Sequence, residues 1–112
     1  MEVEDNAIRI TVNGGEFYSF VRAMKRGYRA REMGEVVMSV CDGKLTVECG
    51  RGGCVLSCNY TPRVTARLSG GNFAALASLV RDAKATGPLV IVFRPELGQV
   101  ALPLVGVKAK FD

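Results

Sequence analysis

Hydrophobic and polar residues alternate in two short segments of the chain, at 7–12 and at 64–68. Both segments contain β-branched residues, and alternation of this kind predicts a strand with one buried side. Each segment runs into the sequence Gly-Gly-x-Phe, at 14–17 and at 70–73. Because a glycine pair breaks a strand and permits a sharp turn, we expect the chain to change direction at both places.

A helical pattern of apolar residues follows each glycine pair. In both stretches the apolar residues recur at i, i+3, i+4 and i+7, the spacing of one face of a helix. The two faces superimpose at an offset of 56 residues and consist of Phe17, Phe20, Val21, Met24 and Tyr28 in the first helix and Phe73, Leu76, Ala77 and Val80 in the second. We expect the phenylalanines, Met24, Leu76 and Val80 to be buried between helices and sheets. Asn72 is the predicted cap of the second helix, and Gly87-Pro88 its predicted end.

A run of further strands follows each helix. The first run contains 35–41 and 44–49, joined by Asp42-Gly43, a pair typical of a two-residue hairpin turn. The second run contains 89–93 and 99–102, joined by the turn 95–98. A third strand closes each run, and these strands are predicted at 54–58 and 106–111.

The order of elements therefore repeats. The chain of 112 residues is predicted to form a single α+β domain of two β-α-β-β-β repeats, at about 7–58 and 63–111. The alternative is two unrelated α+β halves that share the same local preferences. The third strands, 54–58 and 106–111, are expected at sheet edges, where unpaired backbone groups allow strand addition.

In this pattern the segment 8–111 resembles one domain of the DNA sliding clamps, among them the bacterial DNA polymerase III beta subunit. The resemblance is carried by the helix at 17–25, the hairpin and glycine-rich turn at 45–53, and the helix entry at 69–76. It implies a DNA-clamp-like fold, with two helices packed side by side on flanking antiparallel sheets. Family members carry two or three such domains per chain, and their rings contain six domains. A chain with one such domain either assembles into a ring through its edge strands or uses the fold for another purpose.

The charge pattern favours contact with duplex DNA. The chain carries 15 Lys and Arg against 11 Asp and Glu, a formal net charge of +4. Basic residues recur at helical spacing on the polar side of the predicted helices, and the candidate DNA-binding residues are Arg22, Lys25, Arg26, Arg29, Arg81 and Lys84. A basic strip of this kind binds phosphates without sequence preference. A solvated helix face, which is usually charged, explains the same residues without a ligand.

Candidate chemistry for an enzyme is missing from the sequence. The chain has no histidine, and no serine or cysteine lies in a nucleophile-elbow pattern. The stretch Gly50-Arg51-Gly52-Gly53 lacks the Lys-Ser/Thr end of a phosphate-binding loop. The cysteines Cys41, Cys49, Cys54 and Cys58 lack the spacing of structural zinc sites. We therefore expect free thiols, no metal, no cofactor and no enzymatic activity.

Two functional hypotheses follow. The first is a non-enzymatic, DNA-associated, clamp-like protein that assembles with copies of itself. The alternative is a protein-binding module on the same fold, such as an immunity or antitoxin-type inhibitor of a partner protein. The sequence contains no apolar run long enough for a transmembrane helix, and residues 1–5 do not resemble a signal peptide, so a cytoplasmic location is expected.

Overall fold

The computed structural model of the chain describes residues 7–27, 34–50, 52–83, 87–102 and 105–112, with only the backbone described at 25–27 and 83. The elements in chain order are β1 (Ile8–Asn13), α1 (Gly14–Gly27), β2 (Glu35–Cys41), β3 (Lys44–Cys49), β4 (Gly52–Ser57), β5 (Val64–Ser69), α2 (Gly70–Ala83), β6 (Pro88–Arg94), β7 (Gln99–Leu102), β8 (Val105–Lys108) and β9 (Lys110–Phe111). A short 3-10 turn, Pro95–Leu97, joins β6 to β7.

The strands form two antiparallel sheets. One has the order β1-β6-β7-β8, and the other has the order β4-β3-β2-β5-β9. The two helices contact each other, and between them they contact strands of both sheets. The predicted α+β class is therefore confirmed. Within the part of the chain described above, no helix is long and apolar enough to cross a membrane.

The first hairpin has the predicted bounds. Strands β2 and β3 pair from Cys41 with Lys44 to Val36 with Cys49. Asp42 and Gly43 have φ values of 54° and 77°, so both residues of the turn are left-handed. A turn of this type matches the twist of the strands that it joins, and aspartate followed by glycine tolerates its backbone angles.

The predicted final strand, 106–111, is in fact two strands in different sheets. β8 pairs with β7 in the four-stranded sheet, whereas β9 pairs with β5 in the five-stranded sheet. Ala109 lies between them and donates its backbone N–H to the carbonyl oxygen of Gly98 at 2.9 Å. The last strand thus joins the two sheets. β8 lies at an edge of the four-stranded sheet, and β4 and β9 lie at the two edges of the other.

The first strand of each half pairs within the sheet formed mainly by the other half. β1 pairs with β6 from Ile8 with Phe93 to Asn13 with Pro88. β5 pairs with β2 from Val64 with Val40 to Ser69 with Glu35. Adding 56 to the residue numbers of β1 gives those of β5, and adding 53 to the numbers of β2 gives those of β6. The two strand pairs then have the same register. The helices also begin and end at an offset of 56 residues.

Side chains at equivalent positions cap the two helices. Asn13 Oδ1 accepts a hydrogen bond from the backbone N–H of Glu16 at 2.9 Å, and Ser69 Oγ accepts one from Asn72 at 3.1 Å. The prediction that Asn72 caps α2 is therefore wrong. The glycine pair forms the first turn of the helix, so the cap is the residue before it, Ser69. Asn72 Nδ2 instead donates to the carbonyl oxygen of Lys108 at 3.3 Å.

Most of the predicted core is buried. Phe17, Met24, Phe73, Leu76 and Val80 are at most 6% exposed, as expected for residues between helices and sheets. Phe20 is only partly buried. Its ring contacts those of Phe17 and Phe73, with a centroid distance of 6.5 Å to each. The aromatic contact between the helices thus passes through Phe20. Tyr28 lies outside the described residues.

Candidate nucleic-acid interface

Two of the six predicted DNA-binding side chains lie in the described structure. Arg22 is exposed on α1, and Arg81 is half-buried on α2. The backbones of Lys25 and Arg26 continue α1 at helical spacing, but their side chains are not described. Arg29 and Lys84 lie outside the described residues. The structure therefore describes one predicted side chain on each of two neighbouring helices.

A tyrosine positions the Arg22 side chain. The guanidinium carbon lies 5.6 Å from the centroid of the Tyr18 ring, one helical turn earlier. Tyr18 is half-buried and packs against the core, so the face of its ring provides a fixed contact surface for the Arg22 guanidinium. Its face is engaged by Arg22, which argues against a role for Tyr18 in stacking on bases. The i, i+4 spacing from 18 to 22 was the sequence signal for this contact.

Arg81 is held more tightly than Arg22. Its Nη2 atom donates to Ser78 Oγ at 3.0 Å, one turn earlier on α2. The neighbouring Asp82 is exposed, as is Glu16 in the first turn of α1. The described helix surface thus carries two arginines and two carboxylates. A net positive strip depends on the other four predicted residues.

A third arginine, which the sequence did not single out, lies on the five-stranded sheet. Arg67 Nε lies 3.1 Å from Asp112 Oδ1, and Arg67 Nη1 lies 3.1 Å from Glu35 Oε1. The hydrogen bond to Asp112 and the charges of both carboxylates raise the pKa of Arg67 above its ordinary value. The sequence gives no signal for this cluster, because Glu35 and Arg67 become neighbours only when β2 pairs with β5.

The four cysteines are free, and they differ in environment. Cys49 is buried, and its thiol lies 3.4 Å from the sulfur of Met24. Burial raises the pKa of Cys49 above its ordinary value. Burial, the neighbouring Cys49 and the Glu16 carboxylate together raise the pKa of Cys54 to about 11. Among the residues placed by the structure, no group of three or more Cys, Asp or Glu residues is arranged to hold a metal ion.

We expect Cys54 to react slowly with alkylating agents in the folded protein. Its pKa of about 11, against an ordinary value of 9.0, lowers the thiolate fraction at pH 8 by about a hundredfold. The same pKa shift affects the free energy of unfolding, because the Cys54 thiol ionises near pH 9 in the unfolded chain and near pH 11 in the folded one. Its contribution to stability is present below pH 9 and is lost as the pH rises from 9 towards 11. Pulse labelling with iodoacetamide at pH 7 to 11, read by peptide mass spectrometry, measures the rate, with the urea-unfolded chain as control. A folded-state rate that levels off near pH 9 would contradict the raised pKa.

Comparison of the chain with protein-family models, with curated proteins and with solved structures gives no match.

Proposed function

We propose that this chain is a non-enzymatic, DNA-associated protein with the architecture of a sliding-clamp domain. The observation that supports the proposal best is the exchange of first strands between the sheets in one common register. Two unrelated halves would have no reason to share helix bounds, cap positions and strand register at one set of offsets. Two β-α-β-β-β repeats in one chain account for all three features together.

The proposed DNA contact is made by the exposed side of the two helices. Because α1 and α2 contact each other, we expect Arg22 and Arg81 to contribute to one surface. Lys25, Arg26 and Arg29 follow Arg22 at helical spacing, and Lys84 follows Arg81. These residues would neutralise backbone phosphates and release counterions, so binding would be independent of base sequence.

Removing three of these arginines should weaken duplex binding and its dependence on salt. We expect the Arg22→Ala/Arg26→Ala/Arg29→Ala chain to lose affinity equally for unrelated sequences. The slope of log K against log salt should flatten by about one unit per lost contact. Fluorescence anisotropy with a labelled duplex, titrated from low to physiological salt, measures both quantities.

The matched control removes the same charge at positions outside the helices. Lys44, Arg63 and Lys110 are exposed and lie outside both helices. Their triple alanine variant should bind DNA nearly as well as the wild type. Equal weakening by the two triple variants would leave net charge as the only cause, and an absence of wild-type binding at low salt would exclude the DNA function.

Assembly into a ring is proposed to use β4 and β8. Each lies at a sheet edge, and each carries a large exposed apolar side chain: Val55 is 61% exposed and Val105 is 53% exposed. Pairing of β4 in one copy with β8 in the next is a heterologous contact, which gives a closed ring if the rotation closes. The exposed Lys108 on β8 is the feature that opposes such pairing.

Light scattering tests the assembly directly. We expect a particle of about six protomers of 12.0 kDa each. Val55→Lys should shift it to the monomer, because the new charge lies on the pairing edge. Leu97→Lys is the control, since Leu97 is 67% exposed but lies in the 3-10 turn rather than on an edge strand. A wild-type monomer at all concentrations would exclude the ring and leave the DNA test unaffected.

A further inference from the structure

A groove of about 660 Å³ lies on the side of the molecule where the last strand passes from one sheet to the other. Its walls are formed by β5, the first turn of α2, the 3-10 turn and the residues that join β8 to β9. Leu97 stands at its rim and is 67% exposed, which makes it the most exposed large apolar residue in the described structure. The groove therefore combines concave shape with an uncovered apolar side chain, features of a binding surface.

The free charge of this groove is positive. Arg67 lies in the lining, but its guanidinium is occupied by Glu35 and Asp112. Lys108 and Lys110 also line the groove and are exposed, and neither forms an ion pair within the part of the chain that the structure describes. The lining thus combines two lysines that form no ion pair with the other described residues, the exposed Leu97 and an arginine whose charge is paired.

The equivalent place in the other half of the molecule lacks these charges. The bond from Ala109 N–H to the Gly98 oxygen has its counterpart in the bond from Cys58 N–H to the Gly43 oxygen. Ser57 and Asn59 accordingly stand where the second half has Lys108 and Lys110, and Thr11 stands where it has Arg67. Because the fold forms with neutral residues at the first place, it does not require the cations at the second. A ligand provides a reason for them.

We propose that this groove binds an extended, acidic segment of a partner protein that carries at least one large apolar side chain. Carboxylates of the segment would pair with Lys108 and Lys110, and its apolar side chain would cover Leu97. The exposed Leu97 favours a peptide over a nucleic acid, because an apolar side chain of a peptide can cover it. The proposal does not depend on the DNA function, because the groove and the exposed arginine of α1 involve different residues.

Selection from a random dodecapeptide phage library on the full chain identifies peptides that bind the groove. Panning on the wild type is followed by depletion on the Lys108→Glu/Lys110→Glu variant. We expect the enriched peptides to carry two or more carboxylates and a leucine or aromatic residue. One enriched peptide, synthesised with a fluorescent label, should bind the double variant about tenfold or more weakly than the wild type. Leu97→Ala should weaken binding about fivefold.

A second double variant separates a local contact from overall charge. Lys44→Glu/Arg63→Glu changes the net charge by the same amount and lies outside the groove. We expect it to bind the peptide within about twofold of the wild type. The proposal is overturned if no peptide is enriched, if the enriched peptides are neutral or basic, or if both charge reversals weaken binding equally. Circular dichroism of each variant verifies that it is folded.

Discussion

Replacing Phe17 with alanine will lower the free energy of unfolding by about 3–5 kcal/mol. The ring is fully buried and stacks on Phe20 at 6.5 Å, so its removal leaves a cavity between α1 and the sheets. Phe73 has the equivalent position on α2 and is 1% exposed. We expect Phe73→Ala to cost a similar amount, since both rings are buried and both contact Phe20.

Urea denaturation followed by circular dichroism measures these losses. Leu97→Ala is the matched control, because Leu97 is 67% exposed and its truncation leaves no cavity. Its cost should be within about 0.5 kcal/mol of zero. A loss below about 1 kcal/mol for Phe17→Ala would mean that the helix does not pack as described.

Replacing Gly53 with alanine should be the most damaging change of a single methyl group. Gly53 lies on the edge strand β4 opposite Glu48. A Cβ atom at this position would overlap the carbonyl oxygen of Val47, and Glu48 Cα would lie 3.4 Å away. Because both neighbours are backbone atoms, they cannot move aside without separating β3 from β4. We expect a loss of about 1–3 kcal/mol, measured by the same denaturation.

Gly71 gives the matched control for that substitution. A Cβ atom there would have its nearest neighbour, Ser69 Oγ, at 4.0 Å. Gly71→Ala should leave the stability unchanged or raise it by up to about 1 kcal/mol, because alanine restricts the unfolded chain. If both alanine variants have the same stability, steric overlap at Gly53 is not the cause of any loss.

Local features of the fold were predictable from the sequence. The first hairpin is specified by Asp42-Gly43, whose left-handed turn fixes the register of β2 and β3. The helices are specified by apolar residues at helical spacing after Gly14 and Gly70. In each case the signal and the structure that it determines lie within a few residues of each other.

Contacts between distant segments were not predictable in the same way. Alternation identifies β1 and β5 as strands, but it says nothing about which strand each one pairs with. The pairing of β1 with β6, and the division of the last strand between two sheets, depend on the whole core. The error at Asn72 has a related cause. The start of α2 had to be known to one residue, and the pattern does not define a helix end so closely.

Helical spacing predicted the exposed position of Arg22 on α1, and the structure adds the Tyr18 ring that contacts its guanidinium. The contact of Arg22 with DNA stays a prediction. The groove beside Leu97 was missed because its lining comes from segments far apart in sequence. The sequence identifies Lys108 and Lys110 only as residues of the predicted last strand. Their shared environment in the groove arises only where β8, β9 and the 3-10 turn meet.

The exchange of first strands has a consequence for synthesis on the ribosome. β1 is synthesised well before its partner, β6, which consists of residues 88–94. Until that segment leaves the exit tunnel, the apolar side of β1 has no strand beside it. Formation of the four-stranded sheet therefore waits until β6 has been synthesised, as is typical of folds dominated by non-local pairs. Until then the apolar side of β1 is exposed to aggregation and to chaperones.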